Sequence, residues 1–179
     1  MGGRPLVVGV ADLRRQPGTR RRFQRDVALP GLGISTARVP DGAEIGVDLE
    51  LEALSGGLSA TGTITVPWEG ECRRCLRPVR SESVAEVREI FEPTPDEGET
   101  YRLAEDTVDL EPMVRDAVLL TLPLAPLCDE DCQGPAPEEF PATVEGEPSA
   151  DPGEAGEAPA DPRWAALDDL RFDSPADDG

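Results

Sequence analysis

The stretch "EIGVDLELEALSGGLSATGTITV", residues 44–66, admits few folds. Ile45, Val47, Leu49, Leu51 and Ala53 alternate with Glu44, Gly46, Asp48, Glu50 and Glu52. Successive side chains of a strand point to opposite faces, so this period of two makes one apolar face and one acidic face. After "LSGGLS" the alternation resumes, with Leu58, Ala60, Gly62, Ile64 and Val66 set against Ser59, Thr61, Thr63 and Thr65. Two such runs around a Gly-rich turn predict an antiparallel hairpin with one buried face and one wet face.

The flanking segments are read against that hairpin. Residues 5–10 suit a short strand, and residues 11–16 one helical turn closed by Pro17-Gly18. "VRSESVAEVREIFEP", residues 79–93, suits a third strand, although its imperfect alternation also allows a helix. "TPDEGETYRLAED" reads as a polar loop. Residues 109–122 predict a helix: Asp109 is a good N-cap, and Pro112 falls in the first turn, where its missing N–H does little harm. Leu110, Met113, Val114, Ala117, Val118 and Leu122 share one face at helical spacing, and Pro123 ends the helix. With only four Phe, two Trp and one Tyr, the core must be built from Val, Leu, Ile and Ala.

From Gln133 to Pro162 the chain is mostly Pro, Glu, Ala and Gly, which cannot bury enough surface to offset its ordering entropy. It is followed by "DPRWAALDDLRF", where Trp164, Leu167 and Leu170 lie at amphipathic spacing. The expected class is therefore α+β. A small antiparallel β-rich domain with one prominent packed helix spans residues 1–132, a disordered acidic linker 133–160, and a short terminal helix 161–172. Trp164, Leu167 and Leu170 either form a docking face for a partner or fold back on the chain's own sheet.

Four cysteines stand in two close pairs, Cys72–Cys75 in "CRRC" and Cys128–Cys132 in "CDEDC". Each pair can offer two sulfurs from one tight turn, and a fold that joins the turns completes a tetrahedral site. Structural zinc is the expected occupant, since a closed four-sulfur site without redox demands suits it. Arg73, Arg74 and Arg77 would offset the thiolate charge, whereas Asp129, Glu130 and Asp131 would oppose it. A redox dithiol at Cys72–Cys75 is a competing reading, but it lacks a thioredoxin-like βαβ context. Unpaired cysteines with no shared role are the other.

Charge narrows the function classes. The net charge is -20, and it is uneven. Residues 1–40 carry eight Arg against two acids, and residues 128–179 carry two Arg against sixteen acids. An acidic surface repels phosphate backbones and attracts basic proteins. Only the cluster Arg14, Arg15, Arg20, Arg21, Arg22 and Arg25 is suited to RNA phosphates; otherwise it is a solvated turn or is neutralised by the acidic tail. The chain has no histidine, which removes the commonest general base and the triads built on it. Glu50 and Glu52 share a strand face, but nothing in the sequence indicates a third ligand converging on them for a metal-dependent nuclease. The chain is expected to be non-enzymatic, with no small-molecule substrate. No apolar run reaches membrane-spanning length and "MGGRPLVVGV" is too short for a signal peptide, so a cytoplasmic protein without membrane partners is expected.

"CRRCLRP" after a hairpin, the helix within "VDLEPMVRDAVLLTLPLAPLC", "CDEDCQG" and the closing "DPRWAALDDL" together resemble the YceD family of large ribosomal RNA subunit accumulation proteins. The early "ADLRRQPG" adds to the likeness. The resemblance implies an antiparallel β-rich fold with a packed helix. It also implies a role in accumulation or processing of large-subunit ribosomal RNA, with a ribosomal RNA precursor or a large-subunit ribosomal protein as partner. Many bacterial relatives carry further cysteines after the position of Gln133-Gly134, where this chain has "PAPEEFPATVEGEPS", so Cys72, Cys75, Cys128 and Cys132 are the only candidate sulfur ligands it offers. The alternative is an acidic adaptor for a basic protein, without RNA contact.

Overall fold

A computed structural model describes residues 5–139 of the chain. The linker from residue 140 onward, the 161–172 motif and the residues Trp164, Leu167 and Leu170 lie outside the described residues. The expected hairpin forms as β4 (Ile45–Ala53) and β5 (Leu58–Glu71). Before it come β1 (Val7–Gly9), a 3-10 turn at Leu13–Arg15, β2 (Arg20–Val27) and β3 (Ala37–Arg38). After it come β6 (Pro78–Glu92), β7 (Tyr101–Arg102), β8 (Thr107–Asp109) and the helix α1 (Glu111–Thr121). The main sheet runs β2-β4-β5-β6-β7, with β3 also paired to β5, while β1 and β8 make a separate two-stranded ribbon. This is a β-rich α+β domain.

The alternation read from β4 and β5 is the alternation of the core. Ile45, Val47, Leu49, Leu51, Ala53, Leu58, Ala60, Ile64 and Val66 are all buried, while Thr61 and Thr63 face solvent. Val8, Val10, Leu103, Val108 and the α1 side chains Met113, Val114 and Val118 pack against that face. α1 ends at Leu122, which takes an extended backbone before Pro123, as the restriction on residues preceding proline requires.

Three expectations are corrected. The N-cap position belongs to Leu110, and Asp109 instead accepts a hydrogen bond from the Glu111 N–H at 3.0 Å. Asp109 is drawn one residue back because β8 holds it opposite Val7. The 79–93 stretch, by contrast, is the expected third strand, and its pairing with β5 from Leu58↔Phe91 to Glu71↔Pro78 without interruption excludes the helix. The 94–106 loop contains β7, parallel to the end of β6, where Tyr101 stacks near Phe91 with ring centroids 5.4 Å apart. Finally, "RRRFQRDV" forms a full strand, β2, antiparallel to β4. Its arginines lie on both faces and hide any apolar period. Its register instead matches charge to charge, with Arg20 opposite Glu52 and Arg22 opposite Glu50, pairs of the kind that stabilise sheets.

Candidate metal centre

The site grows from the longest hairpin. β5 and β6 run side by side past the rest of the sheet and are joined by residues 72–77, the first cysteine pair and its turn. The Cys72 N–H bonds to the Arg77 carbonyl at 2.9 Å, and the Leu76 N–H to the Cys72 carbonyl at 2.8 Å. Closing so tight a turn puts Leu76 at φ 60°, in the left-handed region, where a side chain costs roughly 1–2 kcal/mol. The turn thereby aims both sulfurs inward, and Cys72 and Cys75 are buried.

The second pair arrives from the other end of the core. After α1, Pro123 turns the chain along β3 and the end of β5. Thr36 Oγ1 donates to the Pro123 carbonyl at 2.9 Å, and the Arg73 N–H donates to the Pro126 carbonyl at 2.9 Å. Gly70 makes this approach possible: a Cβ there would stand 2.5 Å from the Thr36 carbonyl oxygen and 3.3 Å from Pro126 Cγ. The loop carrying Cys128 and Cys132 is then shaped by Asp129, whose Oδ1 accepts from the Asp131 N–H at 2.8 Å. The Cys132 N–H bonds to the Asp129 carbonyl at 3.2 Å.

The four sulfurs converge. All four lie within 4.8 Å of one another, with Cys75 to Cys128 at 3.6 Å and Cys72 to Cys132 at 3.8 Å. A tetrahedral ion with metal–sulfur bonds of about 2.3 Å separates its ligands by about 3.8 Å, so the donor set fits one small cation of that type. All four cysteines are free thiols, and each of the two short contacts links one turn to the other. Cys72, Cys75 and Cys132 form a buried cluster of their own, apart from the main core.

The arginines between the cysteines divide the work. Arg77 Nε donates to Cys75 Sγ at 3.2 Å, and its Nη2 lies 3.7 Å from Cys128 Sγ. That guanidinium holds the Cys75 thiol below its ordinary pKa. The Cys72 thiol is lowered to about 6, chiefly by the Cys75 backbone N–H pointing at it. Hydrogen bonds to Cys132 and Cys75 push Cys128 up to about 12, the expected result when neighbouring groups compete for one negative charge. Arg74 Nη1 reaches across to the carbonyls of Glu130 and Cys132, at 2.7 and 2.8 Å, and clamps one turn to the other. Charge compensation was legible in "CRRCLR"; the carbonyl clamp was not.

Beside this centre lies an open groove of about 960 Å³, lined by Ile34, Leu76, Val79 and Leu124 together with Arg73 and the Arg38–Glu69–Arg80 ion pairs.

The N-terminal arginine cluster does not form one surface. Arg20 and Arg22 turn to the acidic face of β4, Arg20 meeting Glu50 and Glu52 and Arg22 meeting Asp48. Arg21 binds Asp12 and the Gly9 carbonyl, and Arg25 donates to the Pro5 carbonyl. Arg14 donates to the carbonyls of Ala104 and Glu105. Alternation along a strand separates Arg20 and Arg22 from Arg21 and Arg25. Arg15 lies on the 3-10 turn, exposed. Among the described residues no helix is long and apolar enough to cross a membrane.

Comparison with known proteins accords with this geometry. A family model described as "Large ribosomal RNA subunit accumulation protein YceD" matches residues 60–171, which include most of β5, all of β6, α1 and all four cysteines. An uncharacterised protein of Mycobacterium tuberculosis (strain H37Rv) is 37% identical over 172 residues, covering 91% of this chain and 80% of its own length. An uncharacterised protein of Mycobacterium leprae is 32% identical over 174 residues, covering 93% of this chain and 77% of its own. No solved structure matches the chain.

Proposed function

The chain belongs to the YceD family, and from that footing we propose that it is a non-enzymatic, cytoplasmic factor in large-subunit ribosome biogenesis. Its family description ties it to accumulation of large-subunit ribosomal RNA. It acts by binding, with a structural zinc ion held by Cys72, Cys75, Cys128 and Cys132. The observation that carries the structural half is the convergence of two distant thiol pairs within 4.8 Å. A closed set of four sulfurs leaves no ligand position open for chemistry, which is the arrangement of a structural site. The paired carboxylates Glu50 and Glu52 are both engaged by Arg20, which disfavours a nuclease centre there.

Between RNA and protein as the bound partner, the described surface favours protein. Of the six N-terminal arginines, five donate to the chain's own carboxylates or carbonyls, and the net charge of -20 opposes phosphate approach. The test is depletion of the protein in its host, followed by sedimentation of ribosomal particles. The reading expects fewer mature large subunits relative to small ones, restored by the wild-type chain and not by Cys72→Ser/Cys132→Ser. An unchanged ratio of the two subunits would overturn it.

A further inference from the structure

β6 is paired with β5 from Pro78 to Phe91 on one side. On the other side β7 covers only Phe91 and Glu92. Among the described residues, no strand lies against Val79–Ile90 on that side. Natural edge strands are usually blunted by proline, by bulges, by brevity or by charged side chains. This edge has only the charges, Arg80, Glu82, Glu86, Arg88 and Glu89: its register with β5 is one-to-one, and no proline follows Pro78 until Pro93.

Alongside the open edge, α1 forms the far wall of a groove of about 310 Å³. Its lining combines apolar and acidic side chains: Val84, Ala117 and Leu120 with Glu86, Glu89 and Asp116, and no cation. Leu120 is 88% exposed and Val84 58%, far more than the core-facing residues beside them. Neither Glu86 nor Glu89 has an ion-pair partner among the described residues. Asp116 accepts a hydrogen bond from the Tyr101 hydroxyl at 2.9 Å. Burial first, then Asp116 and Glu89, push the Tyr101 hydroxyl well above its ordinary pKa, so it stays a donor.

We propose that the open β6 edge and its acidic groove take up an extended, arginine- or lysine-rich protein segment as an added strand. The added strand's main chain would pair with the free N–H and C=O groups of β6, while alternate side chains divide between two surroundings. One set meets Val84 and Glu86 on the outer face of β6; the other meets Glu89 together with Asp116, Ala117 and Leu120 on the α1 side. Phosphate backbones are repelled by the same three carboxylates. As the partner of the biogenesis factor proposed for this chain, such a segment deepens that role and rests on it for its biological setting, whereas the groove's chemistry is independent of it.

The test uses the full chain and three labelled probes, followed by fluorescence anisotropy: an extended peptide alternating arginine and valine, the same composition interrupted by prolines, and a single-stranded RNA. The alternating peptide binds saturably, with amide shifts confined to β6 and α1. The proline-interrupted peptide and the RNA bind at least about tenfold more weakly. Glu86→Gln/Glu89→Gln, both on the surface, weakens the alternating peptide about tenfold, since two exposed charge pairs together account for that much. Leu120→Ser weakens it as well. Equal binding of the proline-interrupted peptide, preference for RNA, or unchanged binding to Glu86→Gln/Glu89→Gln would each overturn the groove. A Glu86→Gln/Glu89→Gln chain that no longer binds peptide yet restores large subunits in depleted cells also overturns it as the working site, and leaves the biogenesis role standing. Intact peptide binding with no subunit defect on depletion does the reverse.

Discussion

Gly70 offers a quantitative test of how the second cysteine loop reaches the first. A Cβ at this position would lie 2.5 Å from the Thr36 carbonyl oxygen. The nearest ordinary contact begins near 3.4 Å, so Gly70→Ala must move backbone by about 0.9 Å. The obstacle is the Thr36 carbonyl just before β3 and a proline ring, not the end of a flexible side chain. Overpacking of this kind costs about 1–3 kcal/mol. Pro126 is two residues from Cys128, and its carbonyl receives the Arg73 N–H, so the shift propagates to the sulfurs. Metal–ligand distances tolerate only about 0.2 Å, and displaced supporting groups typically lower metal affinity about 10–100-fold. Gly56→Ala is the control: a Cβ there meets nothing within 4 Å, and the change is neutral or stabilising by about 0.4–1 kcal/mol through the unfolded chain. Urea denaturation and competitive zinc titration of both variants provide the measurement. Gly70→Ala as stable and as tight for metal as Gly56→Ala would refute the packing argument.

Three further outcomes follow from the same geometry. Stripping the metal with a chelator leaves the far-ultraviolet circular dichroism nearly unchanged, because the cysteine cluster is separate from the main core; amide exchange then quickens at residues 72–77 and 126–132 and not in β4. Phe91→Ala, at a fully buried ring beside Tyr101, destabilises the fold by about 3–5 kcal/mol in urea. The Arg38 guanidinium, with Arg80 beside it, holds the Glu69 carboxyl below its ordinary 4.5. The folded state thus binds fewer protons there than the unfolded chain, and the stabilisation is complete above about pH 4.5 and lost as pH falls through the folded value. Glu69→Gln is therefore less stable than wild type at neutral pH, and equilibrium unfolding across pH shows the gap closing in acid.

What was legible in the sequence follows the strength of the amphipathic pattern. β4, β5 and α1 bury one face and wet the other, so their period survives in the residues. β2 does not show it, because an edge strand with Arg20, Arg22, Arg21 and Arg25 on its two faces has no apolar stripe. The available signal was complementarity between "RRRFQRD" and "DLELE", a relation between segments and not a pattern within one. β3, β7 and β8 are two or three residues long, too short for any period. At the metal centre the spacing of the pairs pointed to two sulfur-bearing turns. That Leu76 would take a left-handed backbone had no sequence signal, since glycine is the residue that announces such positions. Nor could composition indicate that Arg77 would face sulfur while Arg74 would bridge to carbonyls of the other loop, for that depends on where the chain arrives after Pro126.

The account turns on one ion joining two distant turns. The most direct measurement is metal analysis of the chain purified under reducing conditions, coupled to X-ray absorption at the metal edge. One zinc per chain in an all-sulfur shell of four ligands at about 2.3 Å is the predicted result. Reduced protein without metal and with all four thiols free to alkylation, or a shell completed by oxygen or nitrogen, would contradict it.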